Sequence, residues 1–368
     1  SLFFFFNAHT AQGDADGLSV CFVCRFDPCK GPTVLFAAPE RLARIVNDPK
    51  HPCLMIFAGK AHPHDLPAQE LIKTIHEYSR RPEFEGRIIL LEGYDQALAR
   101  KLVTSVDVWL NTPEYPLEAS GTSGEKAGIN GVINLSVLDG WWGEGYDGHN
   151  GWAITPHPPP TPHDERTRDE SDELLDILEK QVVPLYYARN GHGYPEGWVR
   201  MSKASMKSLM PRFNAQRMVM DYVTRYYSPA RKQRLVMAAN DYARAREVAA
   251  WRRQIDGAWP KVRLRRLDGA APVLRSGSAL TVEVAAALNG ISAEDVLVEC
   301  LMSTEAEGGT LVRQDVHMFT PAGRNDQGED VFRLDLSPRL PGLQYYQIRM
   351  FPFHPALAHR YETGYMIW

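Results

Sequence analysis

Residues 18–154 alternate between short apolar runs and helix-like stretches, and this alternation allows very few folds. The apolar runs are Leu18–Phe26, Leu54–Ala58, Arg87–Leu91, Val106–Leu110 and Ile133–Leu138. The amphipathic stretches are Pro39–Asn47, Pro67–Arg80, Gln96–Thr104 and Thr122–Ile129. Strands that are apolar on both faces and alternate with helices are typical of βαβ units in a parallel sheet. We therefore predict a Rossmann-like α/β domain.

A proline-rich stretch follows this region. Residues 155–168 read TPHPPPTPHDERTR, which predicts a solvated surface loop. A Thr167-x-x-Glu170 capping box then predicts the start of a helix. The apolar face of that helix consists of Leu174, Leu175, Leu178 and Val182.

In the rest of the chain, the sequence pattern changes from helix-like to strand-like at Pro260. Residues 199–259 are almost wholly helical in pattern, whereas KVRLRRL, ALTVEVAAAL, DVLVECLM, DVFRLDL and YYQIRMF alternate like strands. We predict three parts: a Rossmann-like domain over 1–198, a helical segment over 199–259 and a small antiparallel β domain over 260–368.

Charge and cysteine content exclude several classes of protein. The net charge is −4, which argues against a protein that grips nucleic acid through its overall field. No apolar run approaches the ~20 residues that span a bilayer, so we expect no membrane partner. Five cysteines are too few for a disulfide scaffold, and together with the lack of a signal-peptide pattern they favour a cytoplasmic location. The Cys21-x-x-Cys24 pair has no second pair, so we expect no metal site.

The most informative motif is Glu118-Ala-Ser-Gly-Thr-Ser-Gly-Glu-Lys126. Its small residues lie between a predicted strand and a predicted helix, an arrangement that directs free backbone N–H groups at an anion. A tight strand-to-helix turn with a solvated lysine explains the same pattern. Glu125 and Ala127 flank the lysine, so this is not a Walker A loop. The formal GxGxxG at 143–148 is not followed by a helical pattern, and we expect a structured loop there.

The segment PLEASGTSGEKAGINGVINLSVLDGWWGEGYDGHNGWAI closely resembles the pyridoxal-phosphate region of α-glucan (glycogen/maltodextrin) phosphorylases, in their bacterial and archaeal branch. The resemblance continues through FAGKAHP, RIILLEGYDQALAR and KASMKSLMPRFNAQRMV, and it extends to the closing GYMIW. It covers nearly the whole chain after about residue 18.

The resemblance implies site residues one by one. Lys126 matches the lysine that forms the Schiff base with pyridoxal phosphate (PLP), Thr122 and Ser123 match positions around the cofactor phosphate, and Tyr94 matches a tyrosine beside the cofactor. Gly121 and Thr122 fall where backbone groups meet the substrate phosphate. Arg25 and Lys30 match the family's substrate-phosphate arginine and lysine, and Glu118, Ala119 and Ser120 match positions that bind glucosyl hydroxyls.

The resemblance also implies the reaction and its partners. In this family the cofactor phosphate shuttles a proton to orthophosphate, which cleaves α-1,4-glucan to α-glucose 1-phosphate with retention. The family has the GT-B arrangement, in which the active site lies between two Rossmann-like domains. This chain corresponds to the second of them, so we expect a fragment that lacks its N-terminal domain and is inactive alone.

Three positions depart from the family pattern. Cys24 replaces a basic residue, Cys29 replaces a tyrosine, and Glu125 replaces the methionine before the lysine. Each change weakens anion binding or alters its surroundings. Two other functions therefore remain open: a non-catalytic glucan-binding module, and a sugar-nucleotide GT-B glycosyltransferase, which has no need of a Schiff-base lysine.

Overall fold

The computed structural model describes residues 17–267, 269, 280–305, 311–337 and 342–368. The phenylalanine-rich start, where we found no signal-peptide pattern, lies outside the described residues. The chain divides into two compact units, the first ending at Met218 and the second beginning at Val219. The division into three domains stays a prediction.

The first unit is built on a six-stranded parallel sheet, which confirms the predicted Rossmann-like class. Its strand order is β3-β2-β1-β4-β5-β6, the order of the doubly wound dinucleotide-binding fold. The strands are β1 Leu18–Arg25, β2 Cys53–Lys60, β3 Ile88–Leu91, β4 Val108–Asn111, β5 Ile133–Val137 and β6 Gly151–Ile154. The short strand β6 was missed from the sequence, because its four residues end a loop that is rich in glycine.

Helices cover both faces of this sheet. The α-helices up to the end of this unit are α1 Pro39–Val46, α2 Leu66–Ser79, α3 Gln96–Ser105, α4 Thr122–Ile129, α5 Gly140–Gly145, α6 His163–Ile177, α7 Val183–Tyr187, α8 Glu196–Leu209 and α9 Ala215–Tyr222. The last of these crosses the boundary between the units. Large side chains such as Phe57 and Trp109 are fully buried in the sheet, and each stabilises the fold by roughly 2 kcal/mol. The four predicted helices α1–α4 are confirmed to within two residues.

The predicted start of α6 is wrong. The helix begins at His163, directly after Pro162, so residues 163–168 are helical and the proline-rich loop ends earlier than predicted. Thr167 and Glu170 lie inside the helix, where Glu170 is buried and caps nothing. The predicted apolar face of Leu174, Leu175, Leu178 and Val182 is confirmed as fully buried. Pro162 is the N-cap residue, and no side chain caps this helix start.

The second unit contains a long helix and two antiparallel sheets. Helix α10, Ser228–Ala258, leaves helical conformation at 239–242, where Asn240, Asp241 and Tyr242 have positive φ. The strands are β7 Arg263–Arg266, β8 Leu280–Ala287, β9 Val296–Glu305, β10 Leu311–Met318, β11 Thr320–Arg324, β12 Asp330–Leu336 and β13 Tyr345–Pro352. The sheet orders are β10-β9-β13 and β11-β12-β8-β7. The predicted antiparallel β region is confirmed.

A buried ion cluster joins α6 to the loop after β4. The Arg166 side chain is 7% exposed, and its Nη1 lies 2.8 Å from Glu114 Oε1. Its Nη2 donates to His163 Nδ1 at 3.0 Å. Glu170, 1% exposed, lies 3.9 Å from the Arg166 Nε. Burial raises the pKa of Glu170 to about 7, Arg166 opposes this, and the charges of Glu114 and Glu173 add to it.

Glu170→Gln is expected to stabilise the protein at pH 8 more than at pH 5. As pH rises, the unfolded carboxyl ionises near its ordinary pKa of 4.5, whereas the folded one stays neutral up to about 7, so the wild type loses stability through this range. The glutamine variant avoids that loss, and its advantage grows by on the order of 2 kcal/mol between the two pH values. Urea unfolding at both pH values measures it. The exposed Asp172→Asn on the same helix is the control, and an equal effect at both pH values contradicts the prediction.

Candidate functional site

The loops after β1 and β4 meet at the carboxyl edge of the sheet. These strands are neighbours, although two other strands separate them in the chain, so they form the switch point where such sheets bind ligands. The Glu114 N–H donates to the Cys29 carbonyl at 2.8 Å. The Thr112 hydroxyl donates to the Gly31 carbonyl at 2.8 Å. The backbone of one loop therefore holds the backbone of the other.

Gly31 is the position that makes this contact possible. Its φ is +55°, and a Cβ placed on it would overlap the Thr112 carbonyl oxygen. Only glycine combines this left-handed conformation with so close an approach. The first loop must therefore contain glycine at this point if Lys30, one residue earlier, is to lie beside the second loop.

Lys30 and Glu118 connect the two loops by an ion pair. The Lys30 ammonium donates to the Glu118 carboxylate, and the side chains are 29% and 12% exposed. The Glu118 N–H donates to Asp139 Oδ2 at 2.9 Å, and Asp139 follows β5. Three loops of the carboxyl edge thus converge on Glu118.

The start of α4 lies directly after Glu118. Its N-cap is Gly121, with φ +91° and no side-chain capping bond. The Ser120 carbonyl accepts from the Trp141 N–H at 2.8 Å. Gly140 has φ +51°, and a Cβ there would lie 2.6 Å from the Ser120 oxygen. The turn therefore packs on bare backbone, and the first N–H groups of α4 have no capping side chain.

The inner face of α4 packs closely against β5 and α5 at Gly124. A Cβ on Gly124 would come within 2.7 Å of Asn134 Oδ1 and 2.9 Å of the Trp141 ring. Asn134, fully buried on β5, donates from Nδ2 to the Gly124 carbonyl at 3.1 Å. Trp141 and Trp142 are both buried, so they pack in the interior.

Lys126 lies on the outer face of α4. Lys126 and Thr122 are exposed, and Ser123 is half-buried with its Oγ 3.4 Å from the Trp109 indole nitrogen. Tyr94 packs against the apolar cluster that contains Ala127, the residue next to the lysine. Burial raises the pKa of Tyr94, and the nearby thiols of Cys21 and Cys24 add to this effect.

Arg25 is not drawn into this cluster. Its side chain is 71% exposed and lies 3.6 Å from Asp27, which leaves it at the end of β1 facing solvent. The sequence predictions thus fall into two groups. One group lies on the two loops, on α4 or against the apolar cluster beside it: Lys30, Glu118, Ala119, Ser120, Gly121, Thr122, Ser123, Lys126 and Tyr94. The other is Arg25 alone, which lies at the border of this group.

The three departures leave the site less positive than the family pattern. Burial raises the pKa of the Cys24 thiol to about 12, so the group replacing a basic residue is neutral. Burial, with a hydrogen bond to Asp27, raises the pKa of Cys29 to about 11. Burial also raises the pKa of Glu125, while Lys126 and Arg217 oppose that rise. The described residues contain no group of three or more potential metal ligands and no helix able to cross a membrane.

Comparisons with known proteins identify the family of the chain. A family model described as the glycogen phosphorylase C-terminal domain matches residues 259–368. The maltodextrin phosphorylase of Thermococcus litoralis is 38% identical over 96% of this chain and 42% of its own length. The glycogen phosphorylase of Mycobacterium bovis is 37% identical over 95% of this chain and 41% of its own. The chain belongs to the α-glucan phosphorylase family.

Two further matches cover less. The glycogen phosphorylase of Aquifex aeolicus is 46% identical over 60% of this chain and 31% of its own length. The structure of Anabaena HepE with UDP and glucose aligns with TM-score 0.43 and 18% identity over 58% of this chain and 49% of that one. The chain thus spans about two fifths of the phosphorylases that match nearly all of it, at 42% and 41% of their lengths.

Some residues that pack around the candidate site or behind its loop were missed from the sequence. Asn134 had a signal, since it is a polar residue inside the apolar run INLSV. Asp139 had one too, because Asp-Gly before a helix favours an N-cap, and its Oδ1 accepts from the Gly140 N–H at 2.8 Å. Arg166 gave no signal, because a lone arginine in a charged stretch is usually solvated.

Gly31→Ala is expected to destabilise the phosphorylase chain more than Gly86→Ala. Both glycines have positive φ, +55° and +73°, but a Cβ meets the Thr112 oxygen only at Gly31 and meets nothing within 4 Å at Gly86. We expect a cost of about 1 kcal/mol at Gly86 and at least about 2 kcal/mol more at Gly31. Denaturant unfolding of both variants measures the difference. Equal costs would show that the loop contact contributes nothing.

Proposed function

We propose that this chain is the cofactor-binding part of an enzyme that cleaves α-1,4-glucan with orthophosphate to give α-glucose 1-phosphate. One observation carries the proposal. The uncapped start of α4, the exposed Lys126 on the same helix and the Lys30–Glu118 pair lie together at the switch point of the sheet. An anion-binding helix start beside a lysine and a carboxylate suits a phosphorylated cofactor next to a sugar.

The residues present fit PLP. The α4 N–H groups at Thr122 and Ser123 offer donors to a phosphate, and the described residues give the Lys126 amine no ion pair or hydrogen bond that competes for it. The Tyr94 ring packs on the apolar cluster beneath that lysine, where it offers a flat wall to an aromatic cofactor. The bound cofactor would supply a phosphate that gives and takes a proton beside the substrate phosphate.

The remaining residues would bind the substrates. Lys30 and Arg25 would attract orthophosphate, assisted by the backbone of Gly121 and Thr122. Glu118, Ala119 and Ser120 would bind the glucosyl hydroxyls. Because Lys30 already pairs with Glu118, both side chains are held in place before a ligand arrives, and little side-chain entropy remains to be lost on binding.

A glucan-binding module without catalysis is the second candidate. The neutral Cys24 and the acidic Glu125 both favour it, because each reduces the positive potential that a cofactor phosphate needs. A sugar-nucleotide transferase gains no support from the site, since it has no use for Lys126. We also keep two expectations as proposals, a cytoplasmic location and a requirement for the family's N-terminal domain during turnover.

Lys126 is expected to bind PLP covalently. The chain is incubated with PLP, reduced with borohydride and digested, and the modified peptide is identified by mass spectrometry. We expect a pyridoxyl group on Lys126, which is absent from Lys126→Arg and retained in the control Lys101→Arg, an exposed lysine on α3. Equal labelling of many lysines, or none on Lys126, would reject the cofactor and favour the binding module.

Glu125→Gln is expected to tighten PLP binding, more at pH 8 than at pH 5.5. The Glu125 carboxyl, whose pKa burial raises, loses negative charge toward acid pH, so its repulsion of the cofactor phosphate is strongest in alkali. We expect the affinity ratio of variant to wild type to be about three- to tenfold at pH 8 and smaller at pH 5.5. Fluorescence titration measures it.

Taking the ratio at each pH cancels the titration of PLP itself. Glu70→Gln, an exposed carboxylate on α2 that lies 3.4 Å from Lys73, is the matched control. A ratio that does not change with pH would remove Glu125 from the electrostatics of the site.

A further inference from the structure

The loop from Thr112 to Gly121 is also held from a direction that the proposed chemistry does not use. Glu118 makes the contacts with Lys30 and Asp139 described above. Glu114, earlier in the same loop, contacts α6, where its carboxylate lies 2.8 Å from Arg166 Nη1. The Glu114 carbonyl accepts from the Leu117 N–H at 2.7 Å, so Glu114 begins the turn that ends at Leu117, one residue before Glu118.

Arg166 is tightly placed for this contact. Its side chain is 7% exposed, so its position is set by packing rather than by solvent. Its Nη2 is bonded to His163. Its Nε and the Glu170 Oε1 are both buried without a hydrogen-bond partner among the described residues, and they lie 3.9 Å apart. Glu114 is therefore the carboxylate in close ion-pair contact with the guanidinium.

We propose that Arg166 is a positioning residue, which fixes the loop carrying Glu118 through its ion pair with Glu114. A buried guanidinium that loses its carboxylate partner is left as an uncompensated charge, which costs free energy. This cost favours conformations in which Glu114 stays beside Arg166. Glu114 in turn fixes the chain four residues before Glu118. The role of Glu118 in sugar binding rests on the proposed function, whereas the ordering of the loop does not.

Hydrogen exchange of the loop tests the proposal directly. The amides of Glu114, Leu117 and Glu118 are bonded to Cys29, Glu114 and Asp139, so they report on loop order. In Glu114→Gln, which keeps the size of a side chain 37% exposed, we expect these amides to exchange about tenfold faster, with β4 and β5 unchanged. Exchange within about twofold of the wild type overturns the proposal.

Further variants separate positioning from general stability. Glu114→Asp keeps the charge and is expected to restore at least about half of the lost protection. Combining Glu114→Gln with Arg166→Gln should add no further loosening, because one interaction is removed twice. If Arg166→Gln does not fold, the two Glu114 variants alone decide the outcome. The control is Arg41→Gln, which removes the ion pairs of Arg41 with Asp176 and Glu179 outside the loop.

These measurements are made without cofactor, so they are independent of the proposed reaction. A pyridoxyl group on Lys126 of the wild type, together with an unchanged loop in Glu114→Gln, overturns this proposal and leaves the proposed function standing. Faster loop exchange in Glu114→Gln without any adduct on Lys126 supports the positioning role and overturns the cofactor. The two proposals therefore fail separately.

Discussion

The contact between the loops after β1 and β4 is the constraint on which the rest of the site depends. Gly31 lets the two backbones approach, and the ion pair of Lys30 with Glu118 then forms across the gap between them. The strand order is the cause, because β1 and β4 are neighbours only when the chain reverses direction across the sheet. Residues 88 positions apart thereby become partners. A site assembled in this way has a preformed shape that bound ligands need not create.

The electrostatics of this site are unusual for an anion-binding pocket. Each cation near the switch point has an acid beside it: Arg25 has Asp27, Lys30 has Glu118, and Lys126 has Glu125. Cys24 contributes no charge. In the proposed site, the attraction for phosphate would therefore rest on the backbone N–H groups of α4 more than on side chains. Backbone donors do not titrate and do not move, so the helix start retains its preference for anions despite the altered neighbours.

The sequence predicted the fold class well because buried strands and amphipathic helices leave strong periodic signals. Helix α4 was predicted with its observed ends, since glycine and a polar stretch punctuate it on both sides. The start of α6 was wrong because the proline-rich pattern and the apparent capping box both suggested a later start. Arg166 and Glu170 could not be found, because their burial results from the packing of α6, and the ion pair of Arg166 with Glu114 forms only in the folded chain. Such packing depends on tertiary structure and leaves no local pattern.

The buried Arg166 cluster also bears on how the loop after β4 is held. Polar loops at a sheet edge usually gain little from burial and remain mobile. Here Glu118 pairs with Lys30 and donates to Asp139, while Glu114 forms an ion pair with the largely buried Arg166. In the proposed positioning role, the loop cannot shift without losing one of these contacts. Order at Glu118 would then come from contacts within the protein, which exist before a ligand binds.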